Sequence, residues 1–476
     1  MLARDSFQNL GSHTDGTPIP LPKRHAIGEN SQEMGDWLGQ AGNRYRVGLG
    51  LAAVILSLGA EGALESRALP SKQAKEQAAD AAPEKRGAAW PSPAFTIPVE
   101  PLGFYAPNSF YTGLRESLVS LDFIDENRLL FTFRAPGLIR RSGGAGEEER
   151  QIRAEVLSLP QGVAESEALW TLHDHDRYLW MLHSGHFLLR DQDTLKEGDA
   201  HLELRSLLQF PGPLLSLEMD PGQKFLVTNS QEPSETTAKK GEVESPATAS
   251  ASVSTDISGA AGDRDIVLRI LERNSGRVML VSRVRSTIRL PLNSEGYVET
   301  LRGNGQNWIL DLDFFTGGSR VLGKLESSCQ PPVQFLSHEE AVANTCLPNE
   351  GRRLVALSTE GQRLWDAVSP PTQVWPLLVI APDGSRLARE TLTLDHPIGE
   401  LGHILDVQNI KGQLVEVFDA IGGSLVLKTP VTPVLDGGGN VAISPSGKRV
   451  AILNGGAIEV YELPPPKTAA LPAPAR

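Results

Sequence analysis

The most prominent polar cluster of the sequence is the run His173-Asp174-His175-Asp176. Imidazole and carboxylate groups ligate metals, so His173, His175 and Asp176 are candidates for a metal or ligand site. On a β-strand, alternate side chains point to opposite faces, and the two histidines would then be separated from the two aspartates. Residues 177–182 (RYLWML) are typical of a buried strand. We therefore interpret the cluster as a turn that precedes this strand, predict no metal, and keep the ligand site as the alternative.

Asp311 and Asp313 form a second candidate site, because they alternate with leucines and would share one face of a strand. Paired carboxylates can perform acid–base chemistry. They equally suit the solvated side of a strand, or caps of the turn at Gly317-Gly318, and we prefer that interpretation. The sequence contains no G-x-S-x-G, H-E-x-x-H or phosphate-loop motif. We predict no catalytic residue and no cofactor.

The chain has two cysteines, Cys329 and Cys346, which lie 17 positions apart. In an oxidising compartment they would form a disulfide, and closing a loop of this size stabilises a protein by ~3 kcal/mol. In the cytosol they would instead be two buried thiols. We predict the disulfide because the N-terminal region contains an export signal.

That signal is the apolar run Val47–Ala60. At about 14 residues it is shorter than the ~20 needed to cross a bilayer, but it suits the central region of a signal peptide. Arg44 and Arg46 precede the run, and small residues at Ala60–Ala63 provide a cleavage site. Met34 would open a signal of normal length. We therefore predict a signal peptide over residues 34–63, after a polar prefix over residues 1–33.

Two alternatives remain for this segment. An uncleaved signal anchor would tether the protein to a membrane through residues 47–60, because arginines precede the run and glutamates follow it. A buried core helix is the other alternative. With a cleaved signal or with a signal anchor, the protein is exported, to the periplasm, the extracellular space or the membrane surface. Residues 64–98 are rich in Ala, Lys, Glu and Pro, and we predict that they form a disordered spacer.

Composition excludes several classes of protein. The 476 residues are 40% hydrophobic and 22% charged, which excludes a fully disordered chain and a polytopic membrane protein. The net charge of −13 and the aromatic content of 6% provide no basic or stacking surface, so we expect no nucleic-acid partner. Two cysteines exclude a disulfide-rich scaffold and a four-thiolate zinc site.

Short apolar strands separated by polar turns dominate residues 99–463, and long amphipathic helices are scarce. Two hairpin patterns recur, one with a Pro-Asp-Gly or similar turn and one with an acidic residue before a glycine turn. Two hairpins make a four-stranded antiparallel unit, which must stack on copies of itself to bury both faces. The second strands of the units are predicted to begin near Leu129, Tyr178, Phe225, Trp308, Leu354 and Val450.

Most of these starts are spaced by roughly 46–49 residues, which is close to the period of propeller blades. A degenerate unit is expected between Leu354 and Val450, which brings the count to about seven. Residues 231–264 interrupt the third unit and contain no aromatic residue, so we predict a disordered insertion there. Residues 464–476 are predicted to be a disordered Pro/Ala tail.

Four segments carry a family resemblance: SPSGKRVAIL (444–453), APDGSRLA (381–388), VEVFDAIGGSLVL (415–427) and IEVYELP (458–464). With these hairpins, about three quarters of the chain resembles the β-propeller superfamily of the bacterial WD40-like and TolB-like kind. The Gly-His and Trp-Asp signatures of eukaryotic WD40 repeats do not recur, and Trp365-Asp366 is a single instance. The resemblance implies an all-β fold with a single propeller of about seven four-stranded antiparallel blades. The alternative is a pair of β-sandwich domains.

The fold class leaves two functions open. We expect an exported propeller that acts as a binding or scaffolding module for an unknown protein or small molecule. The alternative is a periplasmic propeller enzyme, lactonase-like or quinoprotein-like, with its site at the mouth of the central channel. Such an enzyme needs polar residues from several blades that converge there. Converging His, Asp and Arg side chains in the channel would favour the enzyme, whereas an apolar or merely acidic channel would favour the binding module.

Overall fold

The computed structural model describes residues 91–105, 119–135, 140–141, 148–173, 177–233, 264–347, 351–397, 409–432 and 439–467. The predicted prefix, the signal segment and residues 64–90 of the spacer lie outside this part of the chain. Within it, the regular structure is β-strand apart from two short 3-10 turns. No helix in these residues is long and apolar enough to span a bilayer.

The fold is a β-propeller of seven antiparallel blades. The chain begins with β1 (Phe95–Pro98), which joins the last blade. Blade 1 contains β2 (Ser120–Asp125), β3 (Arg128–Arg134), the short β4 (Arg140–Arg141), β5 (Glu148–Ser158) and β6 (Val163–Leu172). Blade 2 contains β7 (Leu179–Met181), β8 (Phe187–Asp191), β9 (Thr194–Gly198) and β10 (Leu204–Gln209). Blade 3 contains β11 (Leu214–Met219), β12 (Phe225–Pro233), β13 (Arg264–Glu272) and β14 (Val278–Val284).

The remaining blades follow in chain order. Blade 4 contains β15 (Gly296–Arg302), β16 (Asn307–Phe314) and β17 (Ser319–Glu326). Blade 5 contains β18 (Val333–Phe335), β19 (Glu340–Leu347), β20 (Gly351–Ser358) and β21 (Arg363–Ser369). Blade 6 contains β22 (Gln373–Ile380), β23 (Arg386–Leu394), β24 (Ile410–Asp419) and β25 (Leu425–Val431). Blade 7 contains β26 (Val441–Ile443), β27 (Arg449–Asn454) and β28 (Ala457–Glu462), with β1 as its fourth strand.

Blade 4 is irregular at its first strand, whose place is taken by residues 288–292. Leu292 forms an isolated bridge with Tyr297, and the amide of Val298 donates to the carbonyl of Pro291 at 2.8 Å. Asn229 of blade 3 holds the start of the segment, since its side chain bonds both the amide and the carbonyl of Ile288. Pro291 has no amide hydrogen for a regular ladder, which explains why this strand is short.

The N-terminal strand closes the ring. β1 pairs antiparallel with β28, with Ile97 opposite Ile458, so blade 7 is built from both ends of the described chain. Phe104 then packs edge-on against Phe131 of blade 1, with ring centroids 5.5 Å apart. The propeller therefore begins at residue 95, four residues before the predicted boundary at 99, and the predicted spacer over residues 64–98 extends too far.

The core lies between the blades, where the faces of neighbouring sheets pack against each other. Leu129 and Phe131 of blade 1 meet Ala451 and Leu453 of blade 7 in one such cluster. Leu, Val and Ile fill most of these interfaces, because one face of each strand turns toward each neighbour. The packing explains how a chain with only 6% aromatic residues builds a large fold.

The blade count and the fold class are confirmed, and the paired sandwiches are excluded. Several finer predictions need correction. The unit expected to be degenerate is the regular blade 6, and Leu354 lies in the third strand of blade 5 rather than the second. Tyr178 precedes the first strand of blade 2 rather than opening its second strand.

The predicted insertion (231–264) and the predicted tail (464–476) both include residues that belong to the folded propeller. Residues 231–233 and 264 belong to the paired strands β12 and β13, with Pro233 opposite Arg264. Residues 464–467 lie against blade 6, where the Pro464 carbonyl accepts a hydrogen bond from Arg386 and Lys467 donates to Ser424 at 2.8 Å. Residues 234–263 and 468–476 lie outside the described chain.

Candidate functional site

The first strand of each blade lies nearest the propeller axis and lines the central channel. Contacts between blades confirm this placement, because β2 touches both β26 and β7, and β22 touches β26. The channel wall is therefore formed by β2, β7, β11, residues 288–292, β18, β22 and β26. The side chains on these segments decide what the channel can bind.

Charge on this wall is confined to blades 1–4. The first strands of blades 1, 3 and 4 contain Asp122, Glu218 and Arg289, and Arg177 lies two residues before the first strand of blade 2. The sign of these four charges alternates from blade to blade, and the four residues are here called the channel charge row. Strand β2 also ends on Asp125, which pairs with Arg128 at the turn. The first strands of blades 5–7 contain no charged residue, since they are VQF (333–335), QVWPLLVI (373–380) and VAI (441–443).

Asp122 is half-buried on β2, and its carboxylate accepts a hydrogen bond from Ser120 at 2.5 Å. Burial raises the pKa of Asp122 to about 6, although the Ser120 hydroxyl and the charge of Arg177 both act in the opposite direction. Half of a population of such carboxyls is protonated near pH 6. Asp122 can therefore accept or release a proton close to neutral pH.

Arg177 lies between the two acidic members of the row. Its Nε donates to the carbonyl of Leu179 at 3.0 Å, and its guanidinium lies 5.3 Å from the centre of the Trp180 ring. The surrounding protein lowers the pKa of Arg177, although the charges of Asp122 and then Glu218 act in the opposite direction. The side chain is nevertheless exposed to solvent. This combination is expected for a group inside a channel, where water reaches it but protein surrounds it.

Behind Arg177, the hydroxyl of Tyr178 is hydrogen-bonded to Thr132 of blade 1 at 2.5 Å. Tyr178 and Thr132 are fully buried, and burial raises the pKa of Tyr178 well above its usual range. The contact joins the first strand region of blade 2 to the second strand of blade 1. It fixes the backbone from which Arg177 projects.

Glu218 and Arg289 form the second half of the row. Arg289 Nε lies 3.8 Å from Glu218 Oε1, a loose ion pair whose arginine is two-thirds exposed. Burial raises the pKa of Glu218, against the charges of Arg289 and then Arg177. Arg177 makes no ion pair within 4 Å in the described part of the chain, so the row is only partly self-neutralised.

Of the three candidate residues predicted from sequence, the structure describes His173 alone, and its contacts lie outside the channel charge row. His173 follows the last strand of blade 1, and its Nδ1 lies 3.1 Å from Asp191 Oδ1, while Lys196 approaches the same carboxylate at 3.5 Å. His175 and Asp176 lie outside the described residues, and the described residues contain no cluster of three potential metal ligands. Whether His173, His175 and Asp176 form a turn or a ligand site therefore stays a prediction.

Asp311 and Asp313 share one face of β16, as the alternation predicted, with Glu299 opposite Asp311 on the neighbouring strand. Strand β16 is separated from the channel by β15 and residues 288–292. The pair is therefore remote from the channel charge row. Whether the two aspartates have a structural or a catalytic role stays a prediction.

The predicted disulfide between Cys329 and Cys346 is present, with the two Cα atoms 5.5 Å apart. It joins the connection between blades 4 and 5 to the end of β19. The hydroxyl of Ser327 accepts hydrogen bonds from the amides of Cys346 at 2.9 Å and Cys329 at 3.3 Å, which holds both cysteines together. The bond therefore supports a blade junction and does not reach the channel.

No family model and no curated protein matches the sequence. Solved structures match it in fold, among them an acylaminoacyl peptidase of Pyrococcus horikoshii (9% identity, TM-score 0.40, 73% of this chain and 52% of that chain). Others are a hydrazine synthase of Kuenenia stuttgartiensis (11%, 0.38, 75% and 99%) and Hsv2p of Kluyveromyces lactis (10%, 0.36, 70% and 89%). The chain spans about half the length of the peptidase. At such low similarity these matches say nothing about activity, and the assignment of the fold rests on the strand order.

Proposed function

We propose that this chain is an exported β-propeller that acts as a binding module, with its ligand site at the channel charge row. The observation that supports this most directly is Arg177, a solvent-accessible cation on the channel wall that forms no ion pair within the described residues. A charge that is partly removed from water is costly unless a partner compensates it. A bound molecule would provide that partner.

Export is part of the same proposal. The predicted signal over residues 34–63 and the disulfide between Cys329 and Cys346 support it, because disulfides persist in oxidising compartments. A tether through residues 47–60 is the alternative to a cleaved signal. N-terminal sequencing of the protein recovered from its native host would distinguish the two, since cleavage predicts a start after Ala63.

The binding proposal is tested by thermal shift of the full chain with small carboxylates, phosphates, amines and zwitterions, each at about 1 mM. We expect at least one of these probes to raise the Tm of the wild type and to leave that of Arg177→Met unchanged. Arg363→Met is the matched control, because Arg363 pairs with Asp366 on the outer strand β21, away from the channel. Equal shifts in all three proteins, or no shift in any, would contradict the proposal.

A second candidate function is a propeller enzyme at the same site, lactonase-like or quinoprotein-like. Two observations favour it. Charged side chains of four blades lie on the channel wall, as a propeller enzyme requires, and burial raises the pKa of Asp122 to about 6, which suits a general acid or base. The test is hydrolysis of a γ-lactone followed by acid release. The enzyme hypothesis requires turnover that is lost in Asp122→Asn and retained in Asp366→Asn, whereas no turnover in the wild type would reject the lactonase form.

A further inference from the structure

We propose that the channel charge row selects a small zwitterion with an apolar substituent, of which an aliphatic α-amino acid is the simplest representative. This inference rests on the proposed binding function and adds the chemical class of the ligand. It depends on three features of the channel wall within the described residues: a cation without an ion pair inside 4 Å, a neighbouring carboxylate with one oxygen that accepts no hydrogen bond, and an uncharged arc across the channel.

The cation is Arg177. Its Nε is used by the Leu179 carbonyl, which leaves the two terminal Nη groups without an acceptor in the described part of the chain. The Trp180 ring under the guanidinium limits where those groups can point. Two parallel N–H donors in one plane match the two oxygens of a carboxylate. Arg177 is therefore the group that would bind the anionic end of a ligand.

The cationic end of the ligand has its partner in blade 1. One oxygen of Asp122 accepts from Ser120, and the other has no hydrogen-bond donor among the described residues. Glu218, on the other side of Arg177, is held by Arg289 at 3.8 Å. Asp122 is therefore the acidic member of the row that is left for an ammonium group. It lies on the blade next to Arg177, so neighbouring charges of the ligand meet neighbouring charges of the wall.

The remaining wall is uncharged. On β22 of blade 6, Leu377 keeps 37% of its surface exposed at the channel edge of the sheet, although most apolar side chains of this blade are buried. The adjoining first strand of blade 7 consists of Val441, Ala442 and Ile443. Leu377 therefore offers apolar surface to the substituent of a ligand whose charges face blades 1 and 2. A ligand with two charges and no apolar part would leave this surface unused.

The test is titration calorimetry of the full chain with three probes of similar shape. L-Leucine carries both charges, L-leucinamide lacks the carboxylate, and 4-methylpentanoate lacks the ammonium group. We expect L-leucine to bind and each single-charge analogue to bind at least about tenfold more weakly, since each loses a charge-assisted hydrogen bond. Glycine, which has both charges and no side chain, should also bind at least about tenfold more weakly.

Two variants connect binding to the site. Arg177→Met should weaken the binding of L-leucine about tenfold or more and leave the weak binding of L-leucinamide unchanged. Asp122→Asn should also weaken the binding of L-leucine, but it should leave the weak binding of 4-methylpentanoate unchanged. Arg363→Met is the control, and the far-UV circular dichroism and Tm of each variant establish that it folds. Wild-type protein that binds no L-leucine, or binds the analogues equally well, would overturn the inference. If 4-methylpentanoate alone binds in an Arg177-dependent way, the binding function stands and the zwitterion does not.

Discussion

Replacing Glu390 by Gln should remove a pH-dependent loss of stability. Glu390 lies on β23 with only 2% of its surface exposed, at the interface of blades 6 and 7. Gln413 donates a hydrogen bond to its Oε1, and Asn440 is a second side-chain partner. Burial raises the pKa of Glu390 to about 8, against both of these hydrogen bonds. The native protein therefore keeps a proton on Glu390 at neutral pH.

The magnitude follows from the difference between a pKa of about 8 in the folded chain and 4.5 in the unfolded chain. Each tenfold change in proton affinity is worth about 1.4 kcal/mol, which gives a ceiling of about 5 kcal/mol. The unfolded chain loses this proton first as the pH rises. The contribution of Glu390 is therefore fully present below pH 4.5 and is lost progressively up to about pH 8. Gln stays neutral and still offers Oε1 to Gln413, so the loss disappears.

The assay is urea unfolding of wild type and Glu390→Gln from about pH 5 to about pH 9. We expect the two proteins to have similar free energies of unfolding at the acidic end of this range. At the alkaline end, Glu390→Gln should be more stable than the wild type by several kcal/mol. Glu416→Gln on the adjacent strand is the matched control. Burial alone would raise the pKa of Glu416, but Arg389 at 2.6 Å and then Lys428 at 2.9 Å hold it below its usual value.

For Glu416 the sign is reversed, because its ionised form is the stabilised one. Its contribution is present above the unfolded pKa and is lost as the pH falls through the lower folded pKa. Glu416→Gln should therefore be less stable than wild type at neutral pH, and the difference should narrow in acid. If Glu390→Gln gives the same pH slope as wild type, Glu390 is ionised in the native protein and the reasoning from burial fails.

Three further predictions concern packing and closure of the ring. The double variant Cys329→Ser, Cys346→Ser should have a free energy of unfolding in urea that is about 3 kcal/mol below that of the wild type. Wild type measured in the presence of a reductant should lose the same amount. Ile97→Ala, in the closing strand and 3% exposed, should cost about 2–5 kcal/mol, whereas a cost below that of the exposed Val163→Ala would show that β1 is dispensable. Gly351→Ala should lower the Tm, because φ is +85° and the new Cβ would lie 2.0 Å from the Ser369 carbonyl oxygen, while Gly305→Ala, with φ +69° but open space, measures the backbone cost alone.

The sequence predicted the fold better than the position of each strand within its blade. Hairpins such as 444–453 carry their own turn residues, so their recurrence reveals the number of blades. The sequence between Leu347 and Gly351 contains the same types of turn-favouring residue, but it joins the second and third strands of blade 5 rather than the first and second. Local turn residues are alike in both hairpins, and only pairing across the sheet distinguishes them. This explains why the strand assignments slipped in the middle of the chain.

The channel charge row could not be found from motifs. Its members are single charges in apolar strands, separated by about 40 to 70 residues of sequence, and they meet only because the blades form a ring. The one available signal is a charged residue with an apolar neighbour on each side in a first strand, as at Asp122 between Leu121 and Phe123 in SLDFID. Clustered residues such as His173 attract attention in a sequence because they are adjacent, although adjacency on a strand separates side chains.

The pairing of β1 with β28 has a mechanical consequence. A force applied on the N-terminal side of residue 95 reaches the ring through the four residue pairs between these strands, from Phe95 with Val460 to Pro98 with Ala457. The remaining blades are joined to one another by continuous backbone, so we expect a pulling experiment to separate β1 first and to open the ring between blades 7 and 1. A circular permutant that joins residues 91 and 467 by a linker, and begins in the connection between blades 5 and 6, would replace this weak junction by covalent backbone. The direction of load, rather than the total stability, would then decide where the propeller fails.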